Sequence, residues 1–192
     1  MKALEEKILK EGTVVSGNIL KVGSFLNQQI DPEFMTEIGK EIYRLYKDSG
    51  VTKIFTIEAS GIAIALAAAC QFKVPAVFAK KSKSSNIAHE MLSVPVKSFT
   101  RNTVYEVSVS SEYICKGDRL LLVDDFLASG NALDGLIEIA SKAGAEVVGV
   151  AAAIEKGFQG GGDRLRSEGV RVESLAIVDK MSDDTVVFRE QN

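Results

Sequence analysis

The stretch Leu120-Leu121-Leu122-Val123-Asp124-Asp125-Phe126-Leu127-Ala128-Ser129-Gly130-Asn131-Ala132 decides the fold. Four apolar residues in a row mark a strand buried on both faces, which in turn marks the middle of a parallel sheet. Two carboxylates follow where that strand is expected to leave the sheet. In open α/β sheets, ligands bind outside the carboxyl ends of the strands. Residues 124–130 read as a loop leading into a helix over 131–143, which Gly144 closes. Ala128, Ser129 and Gly130 leave room for a phosphate to meet backbone N–H groups. The helix start adds free donors and positive partial charge. Acidic groups able to grip sugar hydroxyls or a hydrated metal therefore stand beside a phosphate cradle. A ligand with a ribose and a 5′-phosphate fits both halves.

On either side of this stretch, helix-like and strand-like segments alternate, the pattern of an α/β domain with a mostly parallel sheet. Upstream, an amphipathic helix is expected over 2–11 and an irregular, semi-apolar segment over 13–30. A second helix opens at Asp31-Pro32, with aspartate as its cap and proline in its first turn. A strand over 51–57, a break at Glu58-Ala59-Ser60-Gly61 and an Ala-rich helix over 62–72 come next; the all-round apolar character of that helix predicts burial. A strand over 74–79 precedes a polar segment, 80–112, with no helical period. Within it Tyr105, Val107 and Val109 alternate with Val104, Glu106 and Ser108, a β-ribbon signature. A long mobile β-arm is expected there. Downstream, a strand over 146–153, a glycine-rich loop over 155–162, a short helix over 163–167 and strands near 171–178 and 185–188 complete the chain.

The chain has 192 residues, and one domain over 1–192 is the natural reading. Its 23 Lys+Arg against 26 Asp+Glu give a net charge of −3. That balance argues against a nucleic-acid-binding surface, which needs a basic patch or stripe. The longest apolar run, 62–70, is far short of the roughly 20 residues of a membrane span. The N-terminus carries glutamates where a signal peptide has its apolar core. With two cysteines, Cys70 and Cys115, and a single histidine, His89, the chain reads as a cytosolic protein without a disulfide or a His-rich metal site. His89 reads as an exposed loop residue with no catalytic role.

The 120–132 stretch resembles the PRPP-binding motif of the type I phosphoribosyltransferases. The resemblance extends along the chain through Leu20, Lys21-Val22-Gly23, Asn27-Gln28-Gln29-Ile30-Asp31-Pro32, Glu58-Ala59-Ser60-Gly61-Ile62-Ala63 and Ala153-Ile154-Glu155-Lys156-Gly157-Phe158. These segments are most similar to the bacterial branch of that family acting on xanthine. The resemblance implies a central, mostly parallel sheet flanked by helices, a small hood contributed by residues 13–31, and the arm of residues 80–112 closing over the substrates. It implies a homodimer that transfers the phosphoribosyl group of PRPP to xanthine in purine salvage, releasing pyrophosphate, with Mg²⁺ delivered on PRPP rather than in a protein-only site.

Carried over residue by residue, Asp124 and Asp125 are the ribose pair, and Ala128, Ser129, Gly130, Asn131 and Ala132 form the 5′-phosphate loop. The chain departs from many family members by having Ser129 and Ala132 where threonines are common, which shifts the grip toward backbone amides. Glu58, Ala59, Ser60 and Gly61 are implied as the pyrophosphate loop. Lys80, Lys81 and Lys83 place positive charge at another strand end, and the resemblance singles out Lys81, in its own subunit or the neighbour's. Leu20, Asn27 and Lys156 are implied as the xanthine pocket. Lys156 can donate to a carbonyl oxygen, and Asn27 offers a donor and an acceptor to a purine edge. Phe126 or Phe158 can stack on the base, and Glu155 reads as the ion partner of Lys156. Other purines (guanine, hypoxanthine, adenine) and a non-catalytic PRPP-sensing regulator are the competing readings. Against the regulator, about thirty residues before the Asp31 helix leave too little chain for a winged helix-turn-helix, and no basic recognition helix is visible.

Overall fold

A computed structural model describes residues 1–81, 90–97, 103–183 and 185–191. Its elements, in chain order, are α1 (Lys2–Glu11), β1 (Thr13–Val15), β2 (Ile19–Lys21), α2 (Pro32–Tyr46), β3 (Lys53–Ile57), α3 (Gly61–Phe72), β4 (Ala76–Ala79), β5 (Met91–Lys97), β6 (Val104–Ser110), β7 (Arg119–Leu127), α4 (Asn131–Ala143), β8 (Glu146–Lys156), α5 (Gly161–Ser167), β9 (Val172–Ser182) and β10 (Thr185–Phe188). Six strands form the central sheet in the order β10-β9-β8-β7-β3-β4. All neighbours run parallel except β10, which folds back antiparallel on β9. The expected α/β architecture is present.

The apolar run of β7 explains the layering. Successive side chains of a strand point to opposite faces. Leu121 and Val123 join the core beneath α1, α2 and α3, whereas Leu120 and Leu122 join a second core beneath α4. The Asp31 cap is also as expected: its carboxylate accepts from the Phe34 N–H at 3.1 Å, and Pro32 fills the first turn.

Four expectations change. First, residues 124–127 are strand, not loop. β8 runs on to Lys156, so Asp124 pairs with Ala152, Phe126 with Ile154 and Leu127 with Glu155. On the other side, the β3 pairing ends at Phe55–Leu122. β7 is thus held on one side only where its acidic pair begins. Second, residues 13–30 are not simply irregular. β1 and β2 form a hairpin, followed by a π-helical turn over Gly23–Asn27. Third, the expected β-ribbon is present as the antiparallel pair β5–β6, but it does not stand clear of the domain. Val94, Val96, Val107 and Val109 are buried in the second core. Gly135 of α4 makes the seat, since a Cβ there would lie 2.5 Å from the Val96 side chain. Residues 82–89 and 98–102 of the proposed arm, with Lys83 and His89 among them, lie outside the described residues. Fourth, α3 is not buried all round: Leu66 and Cys70, one turn apart, face outward.

Candidate active site

Each candidate group is delivered by a strand end or by the turn that follows one. β7 brings Asp124 and Asp125 to the carboxyl edge of the sheet, past the end of the β3 pairing. The Glu58–Ser60 turn then crosses this edge, with a cis Glu58–Ala59 peptide, before α3 begins. Both oxygens of Asp125 are engaged. Ser60 Oγ donates to Oδ1 at 2.8 Å, and Asn27 Nδ2 donates to Oδ2 at 2.9 Å. Three segments far apart in sequence therefore converge on one carboxylate. Gly61 permits the tight turn: a Cβ there would lie 2.1 Å from the buried Thr56 Oγ1.

Asp124 is buried and accepts the Asp125 N–H at 2.9 Å. Burial, followed by the charge and hydrogen bonding of Asp125, holds its carboxyl well above the usual carboxylate range, and the Lys81 charge opposes that shift. The side chain borders a cavity of about 500 Å³, a volume typical of small-ligand sites. Ala128, Ser129, Gly130, Asn131 and Ala132 form one wall of it. Gly130, at φ +88°, makes the turn into α4 that a side chain would strain. The first bond of α4 runs from the Asp134 N–H to the Gly130 carbonyl. The N–H groups of residues 131–133 are left without intrahelical acceptors at the cavity wall, where an anion can take them.

The lysine cluster divides. Lys81 borders the cavity, with its ammonium 5.8 Å from the Tyr105 ring centre and its backbone N–H on Glu58 Oε1 at 2.7 Å. Lys80 borders a different hollow, beside Phe78 and Tyr113. Glu58 through Gly61 do not line the cavity; Glu58 reaches the site by accepting the Lys81 N–H and Ser60 by donating to Asp125. Lys97, Thr103 and Tyr105 also line it. Nothing local in the sequence marks these three, because only the docking of the ribbon on α4 brings them there. Asn131 Nδ2 fixes that docking by donating to the Lys97 carbonyl at 3.0 Å.

The second half of the site lies beside the first. Lys156 ends β8 with its ammonium 5.6 Å from the Phe126 ring centre and 3.2 Å from the Asn18 carbonyl in the β1–β2 turn. Burial lowers its pKa. Phe126 also borders the 500 Å³ cavity, so it is where the two halves meet. Phe158 is 45% exposed and has no such position. Leu20 is buried in the core beneath this hairpin. Glu155 is not the ion partner of Lys156. It is fully buried and pairs with Arg166, because successive strand residues face opposite ways and Arg166 of α5 lies on the Glu155 side.

Residues 27–187 match the phosphoribosyl transferase domain family. The chain is 52% identical over 191 residues to a xanthine phosphoribosyltransferase of Lachnoclostridium phytofermentans, covering 98% of both chains. It is 49% identical to a xanthine phosphoribosyltransferase of Oceanobacillus iheyensis, covering 100% of this chain and 98% of the relative. Among solved structures, the adenine phosphoribosyltransferase of Rhodothermus marinus superposes with a TM-score of 0.74 at 21% identity, covering 93% of this chain and 100% of that one. That of Giardia lamblia, complexed with 9-deazaadenine, gives 0.75 at 18% identity, covering 91% and 96%. At such identities these two structures establish the fold alone.

Proposed function

Because the chain belongs to the phosphoribosyltransferase family, we propose that it transfers the 5-phosphoribosyl group of PRPP to xanthine, yielding xanthosine 5′-monophosphate and pyrophosphate in purine salvage. The observation that carries the reading is the placement of Asp124 in the cavity wall beside the 128–132 loop, next to Asp125, on which Ser60 and Asn27 converge. A phosphate-sized loop at a helix start stands on one side of the pair and a lysine–phenylalanine pair suited to an oxopurine on the other. The full-length likeness to relatives named xanthine phosphoribosyltransferase supports the choice of base.

The chemistry asked of the chain is placement and charge stabilisation. The 128–132 amides take the 5′-phosphate. Asp124 and Asp125 take the ribose hydroxyls, with Asp125 exchanging the bonds it now receives from Ser60 and Asn27. As the bond from C1 to the diphosphate oxygen lengthens, positive charge grows on the sugar and negative charge on the leaving group. Lys81 and the 58–61 turn face that departing charge. A purine ring nitrogen then attacks C1 and gives up its N–H proton to the departing diphosphate, with the base held against Phe126 and its carbonyl oxygen on Lys156. Adenine carries an amino donor where xanthine carries a carbonyl acceptor, so a lysine donor favours the oxopurine. The two buried carboxylates are hard oxygen donors and fit a Mg²⁺ carried in on PRPP. When bound, the ion would neutralise charge on the diphosphate.

A homodimer follows from the same reading. Leu66 is 59% exposed on α3, and β4 is an open edge strand with Phe78 outward. Exposed apolar side chains of this kind suit contact with a second copy. A cytoplasmic setting suits a salvage enzyme, and no helix among the described residues is long and apolar enough to cross a membrane.

Pyrophosphate release from PRPP, assayed with xanthine, guanine, hypoxanthine and adenine in turn, tests the function. Xanthine is expected to be fastest. Equal rates with adenine would overturn the base assignment, and no release with any purine, together with specific DNA binding modulated by PRPP, would favour a regulator.

A further inference from the structure

Helix α5 carries two arginines that the reaction just described does not use, and they reach to opposite halves of the site. Arg164 Nη2 donates to both carboxylate oxygens of Asp134, at 2.9 and 2.7 Å, and Asp134 lies in the first turn of α4. The same nitrogen lies 3.5 Å from the Ser129 carbonyl, inside the phosphate loop. The other arm of the fork, Nη1, is anchored on Glu168 at 3.0 Å. The helix backbone also touches the loop: the Gly161 N–H donates to the Ala128 carbonyl at 3.2 Å. A Cβ at Gly161 would lie 2.2 Å from that carbonyl. The loop therefore rests on α5 from beneath.

Arg166 turns the other way. Its two terminal nitrogens fork onto Glu155, at 3.0 and 2.7 Å, and Nε donates to the Val172 carbonyl at 3.2 Å. Glu155 immediately precedes Lys156 and is fully buried, with Ser174 Oγ as a further donor. Gly162 lets the helix close on it, since a Cβ there would lie 2.1 Å from Glu155 Oε1. A buried carboxylate gripped by a planar fork has one geometry, and Lys156 inherits it through the chain.

We propose that α5 is a two-ended brace, in which Arg164 is a positioning residue for the PRPP phosphate loop and Arg166 a positioning residue for the base-binding Lys156. This rests on the phosphoribosyl-transfer reading above. Neither arginine touches substrate; each fixes the angle at which a binding element meets it. An error of about 1 Å in such placement costs up to a hundredfold in rate.

The test is a split in Michaelis constants. For Arg164→Ala, KM for PRPP is expected to rise about tenfold, as for loss of a charge-assisted hydrogen bond, while KM for xanthine stays within about twofold because the two ends act on separate elements. Arg166→Lys should do the reverse. Arg164→Lys separates positioning from simple attraction of the phosphate. A lysine keeps the charge but not the fork, so a positioning role predicts little rescue and full rescue overturns the proposal. Equal rises in both KM values for either variant, or a fall in kcat alone, would also overturn it. If Arg164→Ala does not fold, Asp134→Asn loosens the same contact and carries the same expectation. Calorimetric titration with PRPP alone needs no purine. Weakened PRPP binding by Arg164→Ala therefore upholds the brace even where another base replaces xanthine, whereas unchanged PRPP binding refutes it.

Discussion

The two halves of the site are built in opposite ways. On the proposed reading, the sugar-phosphate part of the site comes from one continuous stretch, β7 through the start of α4, and its shape follows from a strand end meeting a helix start. The part read as base-binding draws on Phe126 and Lys156 from two strands, with Asn27 reaching Asp125 from a third segment. The continuous stretch would grip the sugar phosphate that every purine acceptor shares. The scattered side chains would set base choice, where one contact can change without disturbing the rest. The contrast predicts that damage to the first half removes turnover with any base, whereas damage to the second changes one KM.

The largest expected effect falls on the carboxylate proposed to take the ribose. Asp125→Ala removes the carboxylate that Ser60 and Asn27 share, and kcat/KM is expected to fall at least 10²-fold, the scale of losing one transition-state contact. Circular dichroism should remain native, and turnover within a factor of a few of wild type would break the assignment. Next comes Lys156→Ala. Loss of a charged hydrogen bond, worth about 1.5–3 kcal/mol, should raise KM for xanthine roughly ten- to a hundredfold. KM for PRPP should hold; a matching rise there would erase the contrast between the halves. Gly61→Ala forces a methyl onto Thr56 Oγ1. Overpacking of this kind costs about 1–3 kcal/mol, read as a lower Tm and a weaker PRPP affinity. The double variant Gly61→Ala with Thr56→Ala should recover much of both.

The smallest effect concerns stability, and its sign is opposite. The carboxyl of Asp124 titrates higher in the folded protein than in the unfolded chain. The folded state therefore holds that proton more tightly, and as pH rises from the usual carboxylate range through the raised value, stability is lost rather than gained. Asp124→Asn removes the buried charge, so Tm at neutral pH should rise while turnover falls. A Tm that falls, or that keeps the wild-type dependence on pH, would show that Asp124 is not held protonation-prone by its surroundings.

Most of the sheet was legible because its signals are local: the apolar run 120–123, the Asp31-Pro32 start and the Gly144 stop. The position of Asp124 beside residues 128–132 at the cavity wall was legible for the same reason. What local reading missed is set by neighbours. The end of β7 depends on how far β8 runs beside it, and no residue within 124–127 encodes that length. The seating of the β5–β6 hairpin depends on Gly135, some forty residues from Val94 and Val96, and it alone brings Lys97, Thr103 and Tyr105 to the cavity. Glue of this kind also misled the reading of Glu155, whose adjacency to Lys156 suggested a pair that strand alternation forbids.

The acceptor load of Asp125 bears on the proposed reaction. Its two oxygens accept from a hydroxyl and an amide of the chain itself. A sugar diol offers the same number of donors of the same polarity. If Asp125 takes the ribose, entry of the sugar would be a swap of partners at a carboxylate that stays hydrogen-bonded throughout. On departure of the nucleotide, Ser60 and Asn27 would reclaim their places without water having to fill a bare anionic hole. Ser60, Asn27 and Asp125 would then form a circuit that the substrate interrupts and the product restores.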